Sequence, residues 1–222
     1  MRATDRELLD DPVDSPAELE GSLRDIEIAN RFLGGASPVR RIFQKIDPRT
    51  VLDIGTGSGD IPLALVRDFE RTGRDLRVTC LDSSAQMLDI ARRRTAGHAA
   101  LSFVLANGEA LPFADDSFDV VMCNLALHHF DPEPAVRLLR EMRRVARLQP
   151  VLCDLRRAGI GWLGAYIFSR VVSRNRLTRH DAPLSARRAY TPDEARDLCR
   201  IAGWRNPRVD RVPFYRMLLR DE

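Results

Sequence analysis

The sequence predicts an α/β protein: a doubly wound, seven-stranded, mostly parallel sheet with one antiparallel strand near its C-terminal edge. Three observations carry this. From Val51 onward, short runs rich in Val, Leu and Cys alternate with segments of helical period, the pattern of parallel strands buried on both faces. The first run ends in a glycine-rich turn, VLDIGTGSGD, that opens a helix. The last two runs, PRVDRVP and YRMLLR, are joined by too few residues for a crossover, so they form a hairpin and one strand is reversed.

The elements follow in order. Residues 1–14 are acidic and without periodicity, which predicts a disordered tail. SPAELEGSLRDIEIANRFL has a cap residue, Pro at the first helical position and apolar residues at helical spacing, so a helix runs from about Ser15 toward Gly34–Gly35. PVRRIFQKI is a second, short helix, and residues 15–47 together form an N-terminal helical lid. VLDI is the first strand, and a helix follows from about Asp60 to Arg71. LRVTCLD is a strand and SAQMLDIARRR a helix that Ser83 or Ser84 can cap. LSFVLA and FDVVMCNLA are the next strands, PEPAVRLLREMRRVA is a helix and PVLCDL the fifth strand. TPDEARDLCRIAG is a helix with Thr191 as its cap, Pro192 at its first position and Gly203 beyond its end.

Composition narrows the class. With 222 residues, 44% hydrophobic and 30% charged, the chain is that of an ordinary globular domain with appendages. A net charge of +3 does not by itself imply a nucleic-acid partner. Cys80, Cys123, Cys153 and Cys199 make no CxxC pair and read as buried free thiols in a reducing compartment. There is no apolar signal core and no uncharged run of about 18 apolar residues, so a cytoplasmic location is expected.

The glycine turn carries the chemistry. In such sheets ligands bind beyond the carboxyl ends of the strands, where strand order reverses. Gly55 and Gly57 let the backbone bend sharply and approach a ligand. A dinucleotide site wants G-x-G-x-x-G, but here the third glycine comes one residue early and Asp60 stands where Gly or Ala belongs. A phosphate would face Asp53 and Asp60, and each unit repulsion at about 4 Å and an effective dielectric near 20 is roughly 4 kcal/mol. A P-loop fails as well, because no G-K-[ST] follows. The loop suits an ammonium or sulfonium instead. Asp82, 23 residues after Gly59, ends the second strand, where a carboxylate can accept the hydroxyls of a ribose. A ligand with ribose and positive charge but no phosphate has the description of S-adenosylmethionine.

DIGTGSG (53–59), LDSSAQML (81–88), ANGEALPF (106–113) and FDVVMCNLALHHF (118–130) together resemble the motifs of class I S-adenosylmethionine-dependent methyltransferases, and within them the ubiquinone/menaquinone C-methyltransferase-like enzymes that act on small molecules. The resemblance implies a Rossmann-like methyltransferase domain over 48–222, with a substrate-lid insertion at about 155–190. It implies that Asp53 and the Gly55–Thr56–Gly57 backbone hold the amino-acid end, that Asp82 holds the ribose, and that Ser83 and Met87 flank the adenine. Asn107 replaces the family's usual Asp as acceptor from the adenine amino group, Gly108 replaces its usual Ala, and Glu109 follows in the same motif. Asn124 approaches the methionine portion, and Arg31, on the helix that closes over the cofactor, is a further contact. His128 and His129 lie past the fourth strand on the ligand side, with His129 the candidate base or pocket wall. No metal is expected.

Leu155 to Thr191 combines four aromatics with eight arginines and one acid, Asp181. An apolar pocket with a cationic rim for an acidic, aromatic or carrier-linked substrate, a basic helix resting on a membrane surface, and a lid with solvated arginines all remain open. The reading overall is methyl transfer to the O or C of a small aromatic, polyketide or quinone-like molecule. A nucleic-acid methyltransferase is the alternative, disfavoured because Asn124-Leu125-Ala126-Leu127 is not the N/D-P-P-[FYW] motif of base-amino methylation. A cofactor-binding protein without methyl transfer is the other.

Overall fold

A computed structural model describes residues 2–222. The chain begins with helices α1 (Pro16–Phe32) and α2 (Ser37–Ile46), then alternates β1 (Thr50–Ile54), α3 (Asp60–Arg71), β2 (Arg77–Asp82), α4 (Ala85–Arg94), β3 (Leu101–Leu105) and β4 (Phe118–Asn124). It continues through α5 (Pro132–Val145), β5 (Ala146–Leu155), α6 (Gly159–Val172), α7 (Arg176–Arg188), α8 (Pro192–Ile201), β6 (Pro207–Val212) and β7 (Arg216–Asp221). Strand order is β3-β2-β1-β4-β5-β7-β6, and β7 alone runs antiparallel, inserted between β5 and β6. The hairpin expected from the short final connection is there.

The sheet is buried on both faces, as its unbroken apolar strands require. Along β4, Val121 and Cys123 join Leu138, Leu139 and Met142 of α5 on one side, while Val120 and Met122 join Phe43, Leu65 and Phe69 on the other. Each fully buried Leu, Phe or Met side chain contributes about 1.5–3 kcal/mol of transfer free energy. Local signals set the helix ends. Ser15 caps α1 at the amide of Glu18, Ser84 caps α4 at that of Met87, and Thr191 with Glu194 forms a capping box at α8. Among the described residues, no helix is long and apolar enough to cross a membrane.

One expectation is corrected. Residues 2–14 are not a free tail: they lie across the top of the domain, where Val13 is buried and Leu8 and Leu9 pack with Leu19, Leu23, Ile90 and Leu177. The amides of Leu8 and Leu9 donate to the two carboxylate oxygens of Asp181, at 2.8 and 3.1 Å, and Gln86 exchanges two hydrogen bonds with the backbone of Val13. Three scattered apolar residues make no periodic pattern, so composition reads as disorder what tertiary contacts order. The lone acid of the 155–191 segment serves as the anchor of this strap.

Candidate active site

Strand order reverses between β1 and β4, and the sheet's crevice opens above their carboxyl ends. The glycine turn lies there. Gly55, Gly57 and Gly59 have φ of 70°, 54° and 74°, a left-handed backbone that side chains resist. A Cβ on Gly57 would meet nothing within 4 Å, so open space lies over the turn, whereas one on Gly59 would press on Thr95 at 3.2 Å. Asp82 braces the loop from β2: its Oδ2 accepts from the Gly57 amide and its Oδ1 from the Ser84 amide, both at 3.0 Å.

Asp53 is buried, and burial pushes its carboxyl up to about 7. Beside it, the buried Thr56 hydroxyl and Asn124 side chain lie close enough to favour the ionised Asp53 carboxyl, but neither forms a well-aligned hydrogen bond. Polar atoms left without a well-aligned partner at the switch point, next to open space over a glycine turn, are what a bound polar ligand satisfies. The residues present therefore fit the amino-acid end of S-adenosylmethionine. Leu125, just past Asn124, is itself held at φ 53°, a strained conformation for leucine.

The remaining expected contacts divide. Ser83 is exposed and Met87 half-buried at the start of α4, beside Asp82. Asn107 is exposed in the β3 turn, and its side-chain oxygen already accepts from the Glu109 amide at 2.9 Å. The Glu109 carboxylate turns away to pair with Arg137 at 2.8 Å. Gly108 is buried where a Cβ would stand 2.8 Å from Ile54 Cγ2 and 3.1 Å from Leu138 Cδ1, so packing accounts for it. Arg31 is exposed, with its guanidinium over the ring of Phe32. Its neighbour Asn30 points inward instead, donating to Asp60 at 3.1 Å and accepting from buried Arg216 at 3.2 Å. α1 thus meets the glycine turn through an amide that no local pattern in the sequence marks.

Against this crevice lies a cavity of about 520 Å³, walled by α1 (Ile26, Ala29) and its cap Leu33, α6 (Ala165, Phe168) and the β7 hairpin (Phe214, Tyr215), and floored by Glu7, His128 and His129. The lining is mostly apolar, the character of a small-molecule site. Arg156 and Arg216 are the cations that reach it. Three other arginines of the 155–191 segment are engaged elsewhere: Arg157 pairs with Glu194, Arg176 with Glu18, and buried Arg188 donates to the carbonyls of His128 and His129.

The two histidines differ. His128 is buried, with Nδ1 2.6 Å from Asp154 Oδ1 and its amide donating to Asp154 Oδ2 at 2.8 Å. His129 is half-buried, with Nδ1 2.5 Å from Asp10 Oδ1. Each imidazole thus has one nitrogen pinned by a carboxylate and the other turned toward Glu7. Glu7, buried and 2.8 Å from the Ser185 hydroxyl, has its carboxyl pushed up to about 7 by burial. Sequence reasoning missed Glu7, Asp10, Asn30, Asp154 and Arg216. Of these, only Asp154, an acid ending an apolar strand, carried a local signal.

Residues 51–149 match the family model described as a methyltransferase domain. The malonyl-acyl-carrier-protein O-methyltransferase of Halorhodospira halophila is 38% identical over 119 residues, 54% of this chain and 37% of that protein. The ubiquinone/menaquinone biosynthesis C-methyltransferase of Hahella chejuensis is 39% identical over 102 residues, 44% of this chain and 39% of that protein. The chain thus spans less than half the length of the curated relatives it matches. A crystal structure of a SAM-dependent methyltransferase from Aquifex aeolicus superposes with a TM-score of 0.66, covering 94% of this chain and 98% of that one at 19% identity, a likeness of fold.

Proposed function

We propose that this protein, whose residues 51–149 match a methyltransferase domain and resemble the ubiquinone/menaquinone C-methyltransferases, transfers a methyl group from S-adenosylmethionine to an oxygen or carbon of a small, ring-sized molecule. The observation that carries the proposal is the apolar cavity of about 520 Å³ beside Leu125, roomy enough for one such acceptor and closed off by α1, α6 and α7. The cofactor supplies a methyl carbon activated by a sulfonium, so that an acceptor lone pair displaces a neutral thioether in line. The chain's own work is to hold, align and dry the site. Asp53, Thr56 and Asn124 receive the amino-acid end, and Asp82 the ribose. Ile26, Phe168 and Tyr215 exclude water around the acceptor. Loss of the acceptor's proton is assigned to the cavity floor, where His129 turns one ring nitrogen inward and Asp10 pins the other.

Arg156 and Arg216 support an acceptor with an anionic or carrier-linked group. The test is release of S-adenosylhomocysteine with a panel of phenols, quinols and carrier-linked acyl groups, against RNA as the alternative. Turnover on RNA and on none of the small molecules would overturn the proposal. A second reading concerns where the acceptor resides. α6 exposes Ile160, Leu163, Ile167 and Val171 along one side, the last at 79%, with Arg170 and Arg174 nearby. This stripe supports contact with an anionic lipid surface. Vesicle flotation tests it, with Ile167→Glu expected to abolish any association.

A further inference from the structure

We propose that Glu7, His128 and His129 form a binding site for one divalent transition-metal ion at the floor of the cavity, against the expectation from sequence that no metal is used. The three side chains bring one carboxylate and two imidazoles to a common point, with their ligand atoms all within 4.8 Å of one another. Glu7 Oε1 lies 3.8 Å from His128 Nε2, and Glu7 Oε2 lies 3.8 Å from His129 Nε2. That is too long for a hydrogen bond. Ligand atoms on one ion with bonds near 2.1 Å stand roughly 3–3.5 Å apart, so each Glu7–histidine pair must close by a few tenths of an ångström and the widest pair, within 4.8 Å, by up to about 1 Å more to complete the set.

Two independent features point to an ion. Glu7 is only 3% exposed, yet its Oε1 has no hydrogen-bond partner and is aimed at the imidazoles. Leaving a buried carboxylate oxygen unpartnered is costly, and a cation removes that cost. The second feature is the outer layer. Asp154 takes His128 Nδ1 at 2.6 Å and Asp10 takes His129 Nδ1 at 2.5 Å, which fixes the tautomer that leaves each Nε2 lone pair facing Glu7. A carboxylate behind each imidazole is the usual support of a metal-bound histidine. Asp10, Asp154 and Glu7 place three carboxylates around the point, and the Arg188 guanidinium, 3.7 Å from Asp10, offsets only part of that charge.

Two nitrogens and one oxygen select zinc, ferrous iron or cobalt over magnesium or calcium, which prefer all-oxygen shells. With three protein ligands, the ion keeps open positions toward the cavity. The inference rests on the methyltransferase reading of the cavity and deepens it: with an ion present, His129 is a ligand, and the ion acidifies an acceptor oxygen that coordinates it. It also makes the N-terminal strap part of the site, since Glu7 lies on the strap and the histidines in the short turn that follows β4.

Untagged protein stripped with chelator and titrated with Zn²⁺ and Co²⁺ is expected to take up one equivalent of either, with a visible d–d band for cobalt. Glu7→Gln and His129→Ala should each weaken uptake at least tenfold, and Asp10→Asn about 10–100-fold. His98 lies in the loop between α4 and β3, outside the cavity lining, and His98→Ala leaves binding as in wild type. Limited proteolysis within residues 2–14 should slow when zinc is added to wild type and not to Glu7→Gln. His129 is partly exposed, so His129→Ala serves if Glu7→Gln misfolds. Substoichiometric uptake by wild type, or unchanged uptake and cobalt spectrum in the folded variants, would overturn the proposal. Calorimetry with S-adenosylhomocysteine on the same samples tests the methyltransferase reading separately.

Discussion

Removing the Asp82 carboxylate should separate cofactor binding from folding. Asp82 ends β2 half-buried, with Oδ1 and Oδ2 each accepting one backbone amide at 3.0 Å. The carboxylate lies beside the open space above Gly57, from whose amide it accepts. Two ribose hydroxyls bonded there are charge-assisted contacts of about 1.5–3 kcal/mol each when fully desolvated. Half-burial discounts the pair to about 3 kcal/mol, so Asp82→Ala should weaken S-adenosylhomocysteine binding by roughly 150-fold. The same change strips acceptors from the Gly57 and Ser84 amides, at a cost of about 1–2 kcal/mol of stability. Asp82→Asn keeps the shape and one acceptor and should lose about tenfold in affinity. Isothermal titration with S-adenosylhomocysteine reads the affinity and thermal melts read the fold. A folded Asp82→Ala that binds within threefold of wild type would refute the assignment of this carboxylate to the ribose.

Other outcomes follow from the same geometry. His129→Ala should lower turnover by at least about 100-fold and leave S-adenosylhomocysteine affinity within about threefold; unchanged turnover would remove His129 from the mechanism. Asp53 is raised by burial from 3.8 to about 7, so the folded apo protein holds a proton that the unfolded chain has released. Its contribution to stability therefore falls as pH rises from about 4 to about 7. An ammonium ligand binds the ionised form, so cofactor affinity should rise by up to about tenfold per pH unit below about 7 and then level off; a flat profile between about pH 5.5 and 8 in calorimetry would contradict the placement of the ammonium. Gly108→Ala should cost about 1–3 kcal/mol in chemical denaturation through overpacking against Ile54 and Leu138, with S-adenosylhomocysteine affinity little changed. Asn30→Leu removes the amide between Asp60 and Arg216, and should weaken cofactor binding more than Arg31→Ala does, measured side by side.

Whatever in this protein depends on neighbours along the chain is legible in the amino-acid sequence itself. The strand runs, the caps at Ser15, Ser84 and Thr191, the reversed final strand and the acidic glycine turn are all written within a few residues, because backbone geometry and capping are local. Asp82 and Asn124, the last residues of β2 and β4, and Asp53, next to last in β1, belong with them, since the strand runs themselves place these residues at the carboxyl ends of the sheet. The floor of the cavity obeys different physics. Asp154 reaches His128 across 26 positions and Asp10 reaches His129 across 119. Glu7 and Asp10 sit in a stretch whose composition alone reads as disorder. Packing decides which of two adjacent residues turns inward, Asn30 rather than Arg31, and which lid arginines spend their charge on partners. A carboxylate finds its imidazole, or a helix its inward face, only once the sheet has brought distant segments within a few ångströms.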